Sequence, residues 1–225
     1  MPSPSRAPRP SRAGGAVAKP QLTPADWVKA ATEVLVQNGI DAVRVDVLAK
    51  TMGVTRGSFY WHFRDREDLL LQVLKTWHDQ ATEDLINRFE RSGASAAALL
   101  SGLISLPLRG ETAVRSASIE LAVRAWARRD ELARKVLDEV DAKRLGYTSQ
   151  CFIALGFSFQ DARHRAFGLY SYVIGEALLH DQSTVEQRQE RRAYMEKFLL
   201  DMPLTKMPSH SDERLPAGGT IHPHE

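Results

Sequence analysis

The chain has 225 residues, 43% of them hydrophobic and 26% charged, an ordinary globular composition with apolar material for one core or two small ones, which excludes a fibre or an acidic disordered chain. A formal net charge of +2 says little about partners, so the local distribution of charge has to carry that argument. The lone Cys151 cannot form an internal disulfide and excludes a cysteine-based zinc site, which fits a reducing compartment and sets a cytoplasmic expectation.

Residues 1–21 hold Arg6, Arg9, Arg12 and Lys19 and no acid, on a Pro/Ser/Ala/Gly background too poor in apolar groups to order itself. They read as a flexible basic arm, with a start-site or solubility tail as the alternative, and no secretory signal is expected. A first helix is predicted after Thr23, a good N-cap followed by Pro24. Its stripe is Trp27, Ala30, Ala31, Val34 and Leu35, and Gly39 ends it. Val45, Leu48, Ala49 and Met52 then fit a helix of about two turns that stops at Gly53. "TRGSFYWHF" follows as a second short helix, with Thr55 as cap and Phe59 and Phe63 one turn apart on its inner side.

Asp65 opens a longer helix with Leu70, Val73, Leu74 and Trp77 as its buried stripe and Gly93 as its limit. The pattern stays helical through 94–106, 112–129 and 130–155, where Leu132, Val136, Val140, Tyr147 and Cys151 fall roughly on one face. Ser158 with Asp161, and Ser183 with Glu186, look like capping boxes of two further helices. No strand alternation and no repeat emerges, so an all-α protein of about nine helices is expected. The stretch "AFGLYSYVIGEALL", 166–179, is shorter than the ~20 residues of a spanning helix. From Pro203 the periodicity is lost, and His210, His222 and His224 read as solvated tail residues rather than metal ligands.

Residues 44–63 carry the functional argument. Two short helices about a glycine turn form a helix-turn-helix if they pack steeply, and the small Ala49, four positions before Gly53, permits the approach. With Phe59 and Phe63 in the core, the opposite face of the second helix is free for a major groove. Thr55, Arg56, Gly57 and Ser58 lie at its N-terminal end, where arginine can pair with guanine and glycine allows close approach to bases. Tyr60 and Trp61 are adjacent, so both cannot face one core, and they are expected against sugar-phosphate. From 44 to 66, five basic residues face Asp46 and Asp65, a balance of +3 suited to the DNA backbone.

The stretch "VRVDVLAKTMGVTRGSFYWHFRDREDLL" resembles the N-terminal DNA-binding domain of the TetR family of bacterial transcriptional repressors, a resemblance that runs from about Thr23 to Leu71. "AVRAWARRDELARKVLDEVDAKRLGY" also resembles the regulatory part of some members. The resemblance implies operator contacts for Arg56, Ser58, Tyr60, Trp61 and Arg66, with Thr55 and Gly57 beside them. Family members often cap the second helix with Ser or Thr, whereas this chain has Arg44, a departure that leaves a phosphate contact open to the guanidinium.

The division expected is an arm at 1–21, a helix-turn-helix domain at 22–68, a helical ligand-binding and dimerisation domain at 69–202 and a flexible tail at 203–225. The family implies a homodimer through the two C-terminal helices, near 159–179 and 184–201, on a palindromic DNA operator, with release by a small-molecule effector. Trp77, Phe89, Trp126 and Tyr147 are the candidate effector contacts, against the plainer reading of core aromatics. His62 reads as a helix-end residue, and Glu176 with His180 as a solvated or interhelical pair. No cofactor, metal or membrane is expected. A phosphate loop, a G-x-S-x-G elbow, an H-E-x-x-H pair and paired cysteines are all missing from the sequence, so the chain is read as not an enzyme. The alternative kept beside the regulator is a helical interaction module or ligand sensor without specific DNA binding, against which Arg56, Tyr60 and Arg66 argue.

Overall fold

The local signals act where the sequence places them. In a computed structural model, which describes residues 22–179 and 182–200, Thr23 Oγ1 accepts from the Asp26 amide at 3.3 Å and Asp26 Oδ2 accepts from the Thr23 amide at 2.8 Å. This reciprocal box, with Pro24 behind it, starts α1 (Pro24–Asn38). A 3-10 turn (Ile40–Ala42) leads into α2 (Val45–Thr51), and Gly53 makes the turn to α3 (Arg56–Tyr60) at φ +67°, a conformation that a side chain would strain. The Asp65 carboxylate accepts from the Asp68 amide at 2.8 Å and starts α4 (Arg66–His78).

The segment after His78 is where the sequence hides most. It runs on as a π-helical turn (Asp79–Glu83) into α5 (Asp84–Arg91), so α4 and α5 form one helix with a bulge in it. There follow α6 (Ala96–Ile104), a 3-10 turn (Leu106–Leu108), α7 (Gly110–Ala127), α8 (Glu131–Ala154), α9 (Phe159–Leu178) and α10 (Val185–Leu200). With α4–α5 counted once, the described residues form nine helices and no strand. None of the described helices is long and apolar enough to cross a membrane. The basic arm, His180, and the tail with His210, His222 and His224 lie outside the described residues.

Two expectations shift by one residue. Leu132 is 44% exposed, and the inner stripe of α8 begins instead at Ala133 and Leu137, while Val140 and Cys151 are buried as expected. At α10, Thr184 and Gln187 make the reciprocal amide contacts, at 3.3 and 3.0 Å, that were expected of Ser183 and Glu186.

The buried residues form two clusters. The first joins Trp27, Leu35, Leu48, Phe59 and Leu74 of the N-terminal helices to Val123, Trp126, Leu137 and Val140 of α7 and α8. The second holds Leu100, Ile104, Phe152, Ala166 and Leu199 of α6, α8, α9 and α10. The first cluster crosses the boundary expected at residue 68, so the three-helix unit is seated on α7 and α8 by shared apolar burial.

Candidate functional site

Phe59 is fully buried at the centre of the N-terminal unit, edge-on to Trp27 at 5.3 Å and stacked with Phe63 at 5.5 Å. A five-residue helix with that face inward turns the next two rings out: Tyr60 is 54% and Trp61 85% exposed. Arg56 and Gly57 are exposed beside them, Ser58 is half-buried, and Thr55, at the N-cap position, makes no side-chain cap bond. A Cβ built on Gly57 would meet only Thr55 Oγ1, at an ordinary 3.7 Å, so internal packing does not demand glycine there. Arg56 and Lys50 have no ion-pair partner among the described residues, while exposed Arg44 is bidentate on Asp46, at 2.7 and 3.2 Å.

Arg66 departs from the sequence reading. Its Nε donates to the Val43 carbonyl at 2.6 Å and an Nη to the Ile40 carbonyl at 2.8 Å. The guanidinium is a strut that ties the start of α4 to the turn before α2, because the α4 N-terminus packs directly beneath that turn. A sequence reading has no signal for such a contact, which spans 23 and 26 positions.

The second feature is a cavity of about 360 Å³ between α4, the π turn, α5, α7 and α9. Trp77, Phe89 and Tyr147 line it with Leu103, Ile119 and Val173. Trp126 does not line it: at 3% exposure it is packed in the first core, where α7 meets the N-terminal helices. The wall also includes Thr32 of α1 and Val73 and Thr76 of α4, so it touches two helices that share a core with Phe59 of α3. Thr82, in the π turn, is fully buried on this wall with a hydroxyl that has no hydrogen-bond partner.

The profile of the tetR family of bacterial regulatory proteins matches residues 28–73, which hold both short helices and the exposed rings at the end of the second. The chain carries a TetR-type N-terminal domain. The fatty acid metabolism regulator protein of Bacillus subtilis is 23% identical over 165 residues, 69% of this chain and 83% of that one. The transcriptional regulator SrpR of Pseudomonas putida is 43% identical over 47 residues, 21% of this chain and 22% of that protein. The structure of FadR from B. subtilis, in complex with stearoyl-CoA, superposes with a TM-score of 0.59 at 22% identity over 80% of this chain and 98% of that one. The chain is a DNA-binding transcriptional regulator, and the matched residues hold α2 and α3.

One part of the cavity wall is ionic. Glu120 of α7 is 7% exposed and accepts from Arg124 Nε at 2.9 Å and from Arg144 at 3.1 Å. Arg124 is also bidentate on Asp141, at 2.7 and 3.1 Å, and the Tyr170 hydroxyl donates to Asp141 at 2.5 Å. Burial opposes the charge on both arginines, but the Asp141 hydrogen bond and Glu120 outweigh it for Arg124, and Glu120 with Tyr170 for Arg144, so both pKa values are raised. Burial likewise pushes the Tyr170 phenol up. Arg144 donates to the Ala81 carbonyl of the π turn at 3.3 Å and lies over the Trp77 ring, 5.8 Å from its centroid. Two arginines and two carboxylates close this network without net charge. Only the i,i+4 pair Glu120–Arg124 is visible as a pattern in the sequence. Glu176, read with His180 from the sequence as a solvated or interhelical pair, forms an interhelical pair with Arg191 of α10, at 2.6 Å.

Proposed function

We propose that this regulator is a cytoplasmic repressor which binds a palindromic operator as a homodimer and is released by a small molecule seated in the cavity. The observation that carries the reading is the shared wall. Thr32 on α1 and Trp77 on α4 belong both to the cavity and to the body that holds α3, so a ligand there meets the mounting of the recognition helix. On the DNA side, Arg56 reads base edges with Gly57 at close approach, and Thr55, Ser58, Tyr60 and Trp61 engage the backbone at the groove edge. Arg44 contacts phosphate only by leaving Asp46. Trp77, Phe89 and Tyr147 serve the ligand.

The dimer reading rests on α9 and α10. Phe167 is 65%, Leu178 62% and Tyr194 69% exposed, too much aromatic and aliphatic surface along two adjacent helices for a monomer. A Cβ on Gly175 would meet nothing within 4 Å, which leaves room for a second backbone. In such a dimer two α3 helices sit about one DNA turn, ~34 Å, apart. The two-state logic is reciprocal: a ligand that weakens operator binding by some factor is itself bound more weakly by that factor on DNA.

The test is selection of bound duplexes from a random library by the full chain, then titration of the enriched site with and without candidate ligands. A palindromic site whose affinity falls as ligand saturates supports the reading. Only weak, steeply salt-dependent binding with no enriched site overturns it.

A further inference from the structure

The cavity wall is unevenly anchored. Its stretches of α4, α7, α8 and α9 belong to helices held in one of the two cores, through Leu74, Val123, Phe152 and Ala166 among others. α5 is different. It supplies Leu85, Ile86, Arg88 and Phe89 to the wall, yet it is the one α-helical stretch among the described residues that buries no residue. Its charged residues, Asp84, Arg88, Glu90 and Arg91, form no ion pair among the described residues, and no side chain of α5 hydrogen-bonds to another element there. What seats it is apolar and partial: Leu85 and Phe89 lie half-buried against the second core. The Phe89 ring lies over the bare backbone of Gly102 on α6, where a Cβ would meet it at 3.6 Å. Both ends of α5 are marked by a break in the helix. Before it, the π turn interrupts the regular hydrogen-bond ladder, and the last polar ties are Arg144 on the Ala81 carbonyl and Lys143 on Glu83. After it, Gly93 takes φ +61°, a left-handed conformation that a side chain would strain.

We propose that α5 is a lid on the cavity, hinged at the π turn and at Gly93 and latched by the Phe89 ring on Gly102, and that a ligand enters and leaves by its displacement. The use of the lid rests on the effector reading given above, but its opening is measurable without a ligand. The exposed members of the wall are Gln80, Arg88, Arg109, Thr112, Val114 and Ser116, from the π turn, α5 and the segment 109–116, so the mouth lies on the α5 side. Swinging α5 outward widens that mouth at the cost of the Leu85 and Phe89 contacts alone, and leaves the buried residues of both cores in place. A segment with so few buried contacts opens more readily than the body it rests on.

The test is hydrogen–deuterium exchange of the full chain, read by mass spectrometry, in the parent and in Gly93→Ala, Phe89→Ala and Gly102→Ala. Amides of 84–92 are expected to exchange at least tenfold faster than those in the middle of α4 and α8. Gly93→Ala strains the hinge and Phe89→Ala removes the latch, so both speed exchange in α5 alone. Gly102→Ala adds a methyl in ordinary contact with the Phe89 ring and slows it. The second readout is acrylamide quenching of tryptophan fluorescence in a Trp61→Phe background, which removes the exposed ring and leaves Trp77 as the tryptophan on the cavity wall. Gly93→Ala raises the quenching and Gly102→Ala lowers it. Amides of 84–92 that exchange as slowly as α4 and α8, or a rise in the variants that spreads over every helix, overturns the proposal. Faster exchange in α5 with quenching unchanged overturns it too, because a segment that moves without uncovering Trp77 is not a lid. Neither readout uses DNA or a ligand. Failure to select an operator therefore removes the repressor and leaves the lid, and failure here removes the lid and leaves the repressor.

Discussion

Replacing Arg66 tests whether it is a strut or a reader of DNA. Its Nε bond goes to the carbonyl of Val43, a residue with no exposure, and is a charge-assisted bond of about 1.5–3 kcal/mol. The second bond adds less, since the Ile40 carbonyl also accepts from the Val43 amide at 3.2 Å and keeps that partner. Arg66→Ala should therefore cost about 2 kcal/mol. In a chain of this size that lowers the unfolding midpoint by about 4–8 °C. Arg66→Lys keeps the charge but reaches one carbonyl in place of two, and should cost about half as much. Urea and thermal unfolding of the two variants and the parent, followed by circular dichroism, give the numbers. Operator affinity should fall only as far as the three-helix unit loosens, and at low temperature, where the variants are folded, it should return close to the parent value. An Arg66→Ala protein as stable as the parent but unable to bind the operator would refute the argument and return Arg66 to the DNA surface.

Trp61→Ala should leave stability within about 0.5 kcal/mol, because the ring is 85% exposed, yet lower operator affinity at least tenfold; paired unfolding and DNA-binding curves check both halves. Thr82→Val keeps the shape of a buried side chain and removes an unpartnered hydroxyl, so the ligand-free protein should gain about 1 kcal/mol, and a lower urea midpoint would mean that the hydroxyl has a partner in solution. Burial and nearby Glu176 push the Tyr172 phenol up to about 12, above the ~10 of an unfolded tyrosine. Its contribution is thus complete below pH 10 and lost as pH rises toward 12; Tyr172→Phe should flatten that fall in stability, measured by urea unfolding at pH 9 and pH 11.5, and an unchanged slope would refute the assignment.

What was legible in the sequence was local. The Thr23–Asp26 box, the Asp65 cap and the glycine at 53 act within four residues, and the Phe59/Phe63 spacing fixes which way Tyr60 and Trp61 must point. What was not legible depends on which helix lies against which. Arg66 looked like another member of a basic rim until the carbonyls of Ile40 and Val43 appeared beneath it. Trp126 shares the spacing of a cavity aromatic, but the N-terminal helices cover it. The stripe on α8 missed at its start, where Leu132, more apolar than Ala133, was given the inner face, and held at Val140 and Cys151. The π turn leaves no mark in a hydrophobic pattern, since 79–83 is polar apart from Ala81.

That turn is also where the two sites meet. A single inserted residue corresponds to about 100° of rotation between the helical runs on either side of it, so whatever holds the turn fixes the phase of α4 relative to α5. Arg144 holds it from α8 through the Ala81 carbonyl, and holds Trp77, one turn earlier, through its ring face. Arg144 is itself fixed by Glu120, and Glu120 by Arg124. Removing one member of such a buried pair costs about 3–5 kcal/mol, more than the ~1–3 kcal/mol that couples two ligands in a typical allosteric protein. A ligand at the cavity wall therefore cannot switch the protein by breaking the network. On the proposed repressor reading, the ligand moves the network whole, carrying Ala81, Trp77 and α4 together, so that the displacement arrives at Arg66 and the turn before α2, next to α3.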